Sequence, residues 1–284
     1  MDFNKKYNNN MQRNIKRTWK VILKEHNDKH TSGLVLPPEN WKEFDPFLLM
    51  AEDKFKKNAF DFHPHRGMET VTYIINGELQ HTDNKGGKGT LHSGDVQWMT
   101  AGNGIIHLEE PAGNTTVHSL QLWVNLPQDK KMTSPRYQDI LSSDAPLRKE
   151  EGVIYRVFSG NSANVISPTK NHAPISMVEI SIEAEHTAIQ DLSSDSNGFI
   201  YVLEGTGIFG ANLVVAEKGD VLLLDSPIQD SEKSEIVIKA ENTLKVLFFA
   251  GKPLEEPIVA KGPFVMNTED EIKQAYADFR SGKF

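Results

Sequence analysis

From Leu34 onward, apolar and β-branched residues come in short runs cut by glycine turns. Residues 70–75 lead into Asn76-Gly77, residues 96–100 into Gly102-Asn103-Gly104, and residues 118–126 end before Pro127. Runs of this length and punctuation predict an all-β sandwich or barrel rather than alternating strand–helix units. Between Pro127 and Gly152 apolar residues thin out and three prolines appear, so the boundary is placed there, giving units at 1–134 and 135–284. The second half repeats the first in register. Tyr73 to Gly77 followed by Gly94-Asp95-Val96 is matched by Tyr201 to Gly205 followed by Gly219-Asp220-Val221, which predicts two copies of one β unit. The tail has a different period. Thr268 with Glu271 forms a capping box, and Ile272, Ala275, Tyr276 and Phe279 recur at helical spacing, so 269–281 is predicted as an amphipathic helix packed on a barrel wall and stopped by Gly282.

Composition narrows the chemistry. The chain has 284 residues, 38% hydrophobic and 25% charged, which fits one large or two ordinary folded domains and not a disordered or fibrous chain. It contains no cysteine, so disulfides, thiolate zinc sites, iron–sulfur clusters and cysteine nucleophiles are excluded, leaving ten histidines as borderline metal ligands. The net charge of −8 disfavours a broad grip on nucleic acid or anionic lipid. Lys5, Lys6, Arg13, Lys16, Arg17, Lys20 and Lys24 make a basic segment, read as a frayed terminus because no apolar signal region follows. No run approaches the roughly 18–20 apolar residues of a membrane span. The expectation is a cytoplasmic protein that contacts neither nucleic acid nor membrane.

The richest segment is His63-Pro64-His65. On an extended strand, residues i and i+2 face the same side, so both imidazoles can reach one cation, and the proline stiffens the pair. His107 and Glu109 repeat that spacing with one imidazole and one carboxylate. If the two strands face each other, three nitrogens and one oxygen converge, a donor set that suits Fe(II), Mn(II), Cu(II), Ni(II) or Zn(II) about equally. Glu69, four residues after His65, has the same parity as the histidines and competes with Glu109 as the carboxylate ligand; as the loser it would stand behind the ligands or pair with a nearby cation such as Arg66. His81, His92 and His118 lack partner spacing and are read as surface or structural. Lys85 to Gly89 is read as a hairpin tip and not a phosphate loop. Phe55, Phe60, Phe62, Tyr73 and Trp98 are read mainly as core, with some able to shape a pocket for a flat substrate.

Several blocks together resemble the pirin family of the cupin superfamily. They are Asp45 to Leu49, His63 to Thr70, Gly94 to Gly102, Gly104 to Glu109, Leu120 to Leu126 and Gly262 to Thr268, in the family's order over about residues 34–280. The resemblance implies two tandem cupin β-barrels of jelly-roll type with a C-terminal helix. It implies metal in the N-terminal barrel alone: one divalent ion, iron(II) ahead of manganese, copper, nickel or zinc, held by His63, His65, His107 and Glu109. It favours Glu109 over Glu69. It further implies quercetin 2,3-dioxygenase activity, in which a flavonol heterocycle is opened with O2 and carbon monoxide leaves, with Glu109 as the base that takes the flavonol 3-hydroxyl proton. The alternative it implies is a redox-sensing iron protein that binds transcription regulators or metabolic enzymes. The second copy, with Asp191 and Asp195 but no histidine in residues 190–197, reads as a barrel that has lost its site.

Overall fold

The alternating runs form strands that assemble into two β units. The computed structural model describes residues 11–38, 40–226 and 233–284. One unit comprises residues 21–145, 169–174 and 254–284; the other comprises residues 11–20, 146–168 and 175–253. This partition corrects the boundary expected at 134/135, because each unit takes a terminal segment from the far end of the chain.

In the first unit a seven-stranded sheet runs in the order Arg136–Ile140, Val96–Thr100, Met68–Asn76, Thr116–Asn125, Phe47–Lys56, His30–Leu36, Lys24–Asn27. A four-stranded sheet runs His63–His65, Ile105–Pro111, Glu78–Asp83, Lys88–His92. Residues 85–89 cross the hairpin between the last two paired strands, as expected. The duplication is visible in the register: Tyr73 sits opposite Val96, and Tyr201 sits opposite Val221. Gly77, Gly94, Gly205 and Gly219 all take positive φ at the corresponding turns, a backbone region that glycine enters at little cost.

The basic N-terminal segment is not frayed where it is described; Lys5 and Lys6 lie outside the described residues. Ile15–Lys20 pairs antiparallel with Asp220–Leu224 and extends the second unit's seven-stranded sheet. Arg13 is fully buried, donating from Nε to Asp225 at 2.8 Å and from its terminal nitrogens to the Ser196 and Asp225 carbonyls. Charge count hid this, because a paired and hydrogen-bonded arginine can be buried where an isolated one cannot.

The C-terminal helix forms over Glu269–Arg280 with the expected capping box: the Thr268 hydroxyl accepts from Glu271 N, and Glu271 reaches back to Thr268 N. It belongs to the first unit, not the second. Ile272 and Ala275 pack with Phe264, Met266 and Phe284, and Ile106, on the back of the His107 strand, joins the same cluster. Burying Ile272 alone contributes about 2 kcal/mol, more than the cap's about 1 kcal/mol, so packing decides which unit the helix joins.

Candidate metal centre

The His63–His65 strand pairs antiparallel with Ile105–Pro111, placing His107 directly opposite His63 and Ile105 opposite His65. Partners across a ladder share a face, so His63, His65 and His107 point the same way. Their ring centroids lie 4.5 to 5.1 Å apart, and one ring nitrogen of each lies within 4.8 Å of the others. His65 and His107 are buried, and neither ring nitrogen of either has a hydrogen-bond partner of ordinary geometry. Such orphaned buried nitrogens are rare in proteins unless something else completes them.

Their protonation matches that need. Burial, then the neighbouring His63 and His81, push His107 down to about 3. Burial, His107 and His63 hold His65 well below the ordinary histidine range, against a weaker upward pull from the Pro263 carbonyl. Both rings are therefore neutral at physiological pH and present lone pairs, the state a metal requires. His63 Nδ1 lies 2.9 Å from the Asp61 carbonyl; a carbonyl only accepts, so Nδ1 carries the proton and Nε2 is left for a ligand. Two neutral buried imidazoles and a third with Nε2 turned free of its hydrogen bond, arranged in this way, fit a divalent transition metal.

Glu109 lies outside the imidazole cluster. Its carboxylate accepts from Gln121 Nε2 at 2.8 Å and from the Thr72 hydroxyl at 3.2 Å, and it lines the same cleft as His63. Glu69 is elsewhere, because its parity with the histidines does not survive the turn at Gly67. There φ is +78°, and a β-carbon would stand 1.9 Å from the Val265 carbonyl oxygen. The histidines lie in the four-stranded sheet before that turn, and Glu69 lies in the seven-stranded sheet after it. Thr72 lines the cleft with its ladder partner Gln121, and Glu69, an odd number of residues earlier on the same strand, faces the opposite way. It is fully buried and accepts from Trp98 Nε1 at 2.9 Å and the Thr100 hydroxyl at 2.7 Å; burial raises its pKa despite those bonds. The expected Glu69–Arg66 pairing is corrected as well: Arg66 pairs with Asp278 at 2.9 Å, stacks over Phe284, and its Nε donates to the Asn103 carbonyl.

The cleft beside His63 encloses about 60 Å³ and is lined by Asp53, Phe55, Phe60, Thr72, Leu79, Glu109, Ser119 and Gln121. Of the candidate aromatics, Phe55 and Phe60 line it, Phe62 is exposed, and Trp98 points away with Glu69. Trp123, which sequence reasoning had passed over, stands edge-on to His65 at 5.3 Å. His81 was misread. It is buried opposite Glu109 in the ladder, stacks on Tyr137 at 4.7 Å and lies 3.8 Å from Asp139. Its parity with Glu109 is a register fact that no local spacing carries. The other two behave as expected: His118 pairs with Glu52 at 2.6 Å, and the exposed His92 lies 3.6 Å from Glu78.

In the second unit the corresponding interior is filled. Twenty-two buried residues, among them Tyr155, Phe209, Ile236, Ile238 and Phe248, make one apolar cluster, and among the described residues no second metal-competent group is found.

Two duplicated β units, one with an apolar interior and one with three inward imidazoles, define a two-barrel cupin protein. The Pirin family matches residues 26–124 and the Pirin C-terminal cupin domain matches residues 177–284. A pirin-like protein of Solanum lycopersicum is 40% identical, over 85% of this chain and 82% of its own length. A Geobacillus kaustophilus crystal structure is 52% identical with a TM-score of 0.86, covering 87% of this chain and 99% of that one. A quercetin 2,3-dioxygenase from Acinetobacter baumannii is 31% identical with a TM-score of 0.84, covering 96% and 98%. The chain belongs to the pirin family. Among the described residues no helix is long and apolar enough to cross a membrane.

Proposed function

We propose that this chain is a metal-dependent dioxygenase that opens the heterocycle of a flavonol such as quercetin with O2 and releases carbon monoxide. The observation that carries the reading is the convergence of three imidazoles, two of them buried without a hydrogen-bond partner, beside a cleft walled by Phe55, Phe60 and Leu79. The similarity to a quercetin 2,3-dioxygenase supports it.

His63, His65 and His107 would hold the ion, with Glu109 as the fourth ligand. Iron(II) is the ion we favour. A bound divalent ion supplies Lewis acidity toward a hydroxyl oxygen and the redox chemistry that O2 requires. The protein supplies the rest. Glu109 is the group placed to accept the 3-hydroxyl proton, and Gln121, itself receiving a hydrogen bond from Trp123 Nε1 at 3.3 Å, holds that carboxylate in register. Phe55 and Phe60 shield the site from water and offer faces to a flat ring. Because about 60 Å³ is well below the roughly 300 Å³ at the small end of ligand pockets, a flavonol would seat its chelating edge in the cleft and leave its outer ring toward the mouth.

The test is to measure the metal content of protein from its native host, reload the protein with iron, manganese, copper or nickel, and follow quercetin absorbance with and without oxygen. Oxygen-dependent loss of quercetin that disappears in His107→Ala is expected. No such loss with any of the four metals refutes the reading.

A further inference from the structure

The strand that carries His63 and His65 is weakly paired. It lies at the edge of the four-stranded sheet, meets its neighbour at three ladder positions, and has Pro64, which offers no N–H, at the middle one. So short a ladder cannot by itself fix the gap between His65 and His107, yet three imidazoles bind one ion only when that gap is held to about 0.5 Å. The support comes from the opposite side of the sheet. Phe284, four residues beyond the helix, is 7% exposed and packs with Phe264, Phe279 and Ile106. Its ring reaches both histidine strands. The guanidinium of Arg66, next in the chain after His65, lies 4.4 Å from the ring centre. Gly104, just before the His107 strand, comes so close that a β-carbon there would stand 2.8 Å from the ring. Arg66 Nε donates to the Asn103 carbonyl at 2.8 Å, which joins the two strand ends beside that ring. The Phe284 main-chain oxygen makes a further tie. It accepts from Asn84 Nδ2 at 2.9 Å, while Asn84 Oδ1 accepts from the N–H of Ile106, the residue before His107, at 3.1 Å. Asp278 anchors the segment, taking Arg66 on one carboxylate oxygen and Lys283 on the other.

We propose that Phe284 is a positioning residue for the metal centre, a latch behind the sheet that sets the distance between the His63–His65 strand and His107 and so slows release of the ion. It is not a ligand; it acts through Arg66, Gly104 and Asn84. Without the ring, Arg66 loses a cation–π partner and the turn at Gly104 loses its backing, so the histidine strands are left to a ladder interrupted by Pro64. The inference rests on the reading of the imidazole trio as a metal site and not on the reaction run there.

The experiment loads the full chain with cobalt(II), whose visible bands report the ligand geometry, and adds excess EDTA to read the release rate. Phe284→Ala should release cobalt about tenfold faster than wild type and shift the bands, the usual scale for losing support behind a metal ligand. Phe284→Leu, which refills the volume but not the ring face, should fall between. Leu36→Val separates position from stability: it trims a buried side chain on the His30–Leu36 strand, so it should lower the melting temperature and leave rate and bands at wild type. If Phe284→Ala does not fold, Asn84→Ala, which cuts the tie to Ile106 outside the apolar cluster, must speed release several-fold. Wild-type rate and bands in the folded Phe284 and Asn84 variants overturn the latch and leave the metal site standing, as does a Leu36→Val protein that releases cobalt as fast as they do. Wild type that holds no cobalt, or cobalt that survives His107→Ala, refutes the metal site and the latch with it.

Discussion

Lys131 offers a prediction whose sign has to be worked out from competing terms. It is almost fully buried, and its ammonium donates to the Gly67 carbonyl at 2.9 Å, the Asn125 side-chain oxygen at 2.7 Å and the Val265 carbonyl at 3.1 Å. Burial lowers its pKa to about 8, with Glu256 and Glu271 pulling weakly the other way. Relative to an ordinary lysine at 10.5, keeping the charge at neutral pH costs roughly 3 kcal/mol at about 1.4 kcal/mol for each tenfold change. Lys131→Met removes that cost but strands three acceptors, each worth about 1.5–3 kcal/mol with a charged donor. The loss wins, and the variant should be less stable by about 2–6 kcal/mol. Linkage supplies a second signature. A base with a depressed folded pKa binds fewer protons when folded, so stability rises with pH between about 8 and 10.5. Wild type should therefore gain roughly 2 kcal/mol on Lys131→Met between pH 7.5 and 9.5. Urea unfolding at both values reads this difference, and titration pH effects shared by the two proteins cancel. Because Gly67 ends the turn that follows His65, metal affinity should fall as well. A variant as stable as wild type at pH 7.5, or a gap that does not widen with pH, would refute the reasoning.

Two further outcomes follow from the site. His107 sits at about 3 when folded against 6.5 ordinarily, so the unfolded chain takes up the proton first; metal-free protein should lose up to roughly 5 kcal/mol as pH falls from 6.5 toward 3, and bound metal should delay the loss. Circular dichroism through an acid titration, with and without metal, checks this, and metal-free protein indifferent down to pH 4 contradicts it. Glu109→Ala should lose metal occupancy by elemental analysis. Glu69→Ala should keep it while losing about 2–4 kcal/mol of stability, since Trp98 and Thr100 would be left without an acceptor; the reverse pattern would assign the fourth ligand to Glu69.

What the sequence determined by itself was everything encoded at short range. Short apolar runs and glycine turns specified the strands, the Thr268–Glu271 box specified the helix, and His63-Pro64-His65 specified two imidazoles on one face, since parity along one strand is a local property; the register of His107 against His63 completed the trio. The repeat of Tyr73 to Val96 in Tyr201 to Val221 was legible for the same reason. The tertiary structure decided what depends on register between distant strands. Only the pairing of Ile15–Lys20 with Asp220–Leu224 shows that a basic segment is a sheet edge, and only the packing of Ile272 on Phe264 and Met266 assigns the helix to the histidine-bearing unit. A single positive-φ glycine, Gly67, sent Glu69 into another sheet and broke a parity argument that was sound up to that residue. Asp53 reached the cleft through the ladder with Ser119, and His81 came to lie opposite Glu109, contacts across which side chains meet without leaving any spacing in the chain to read.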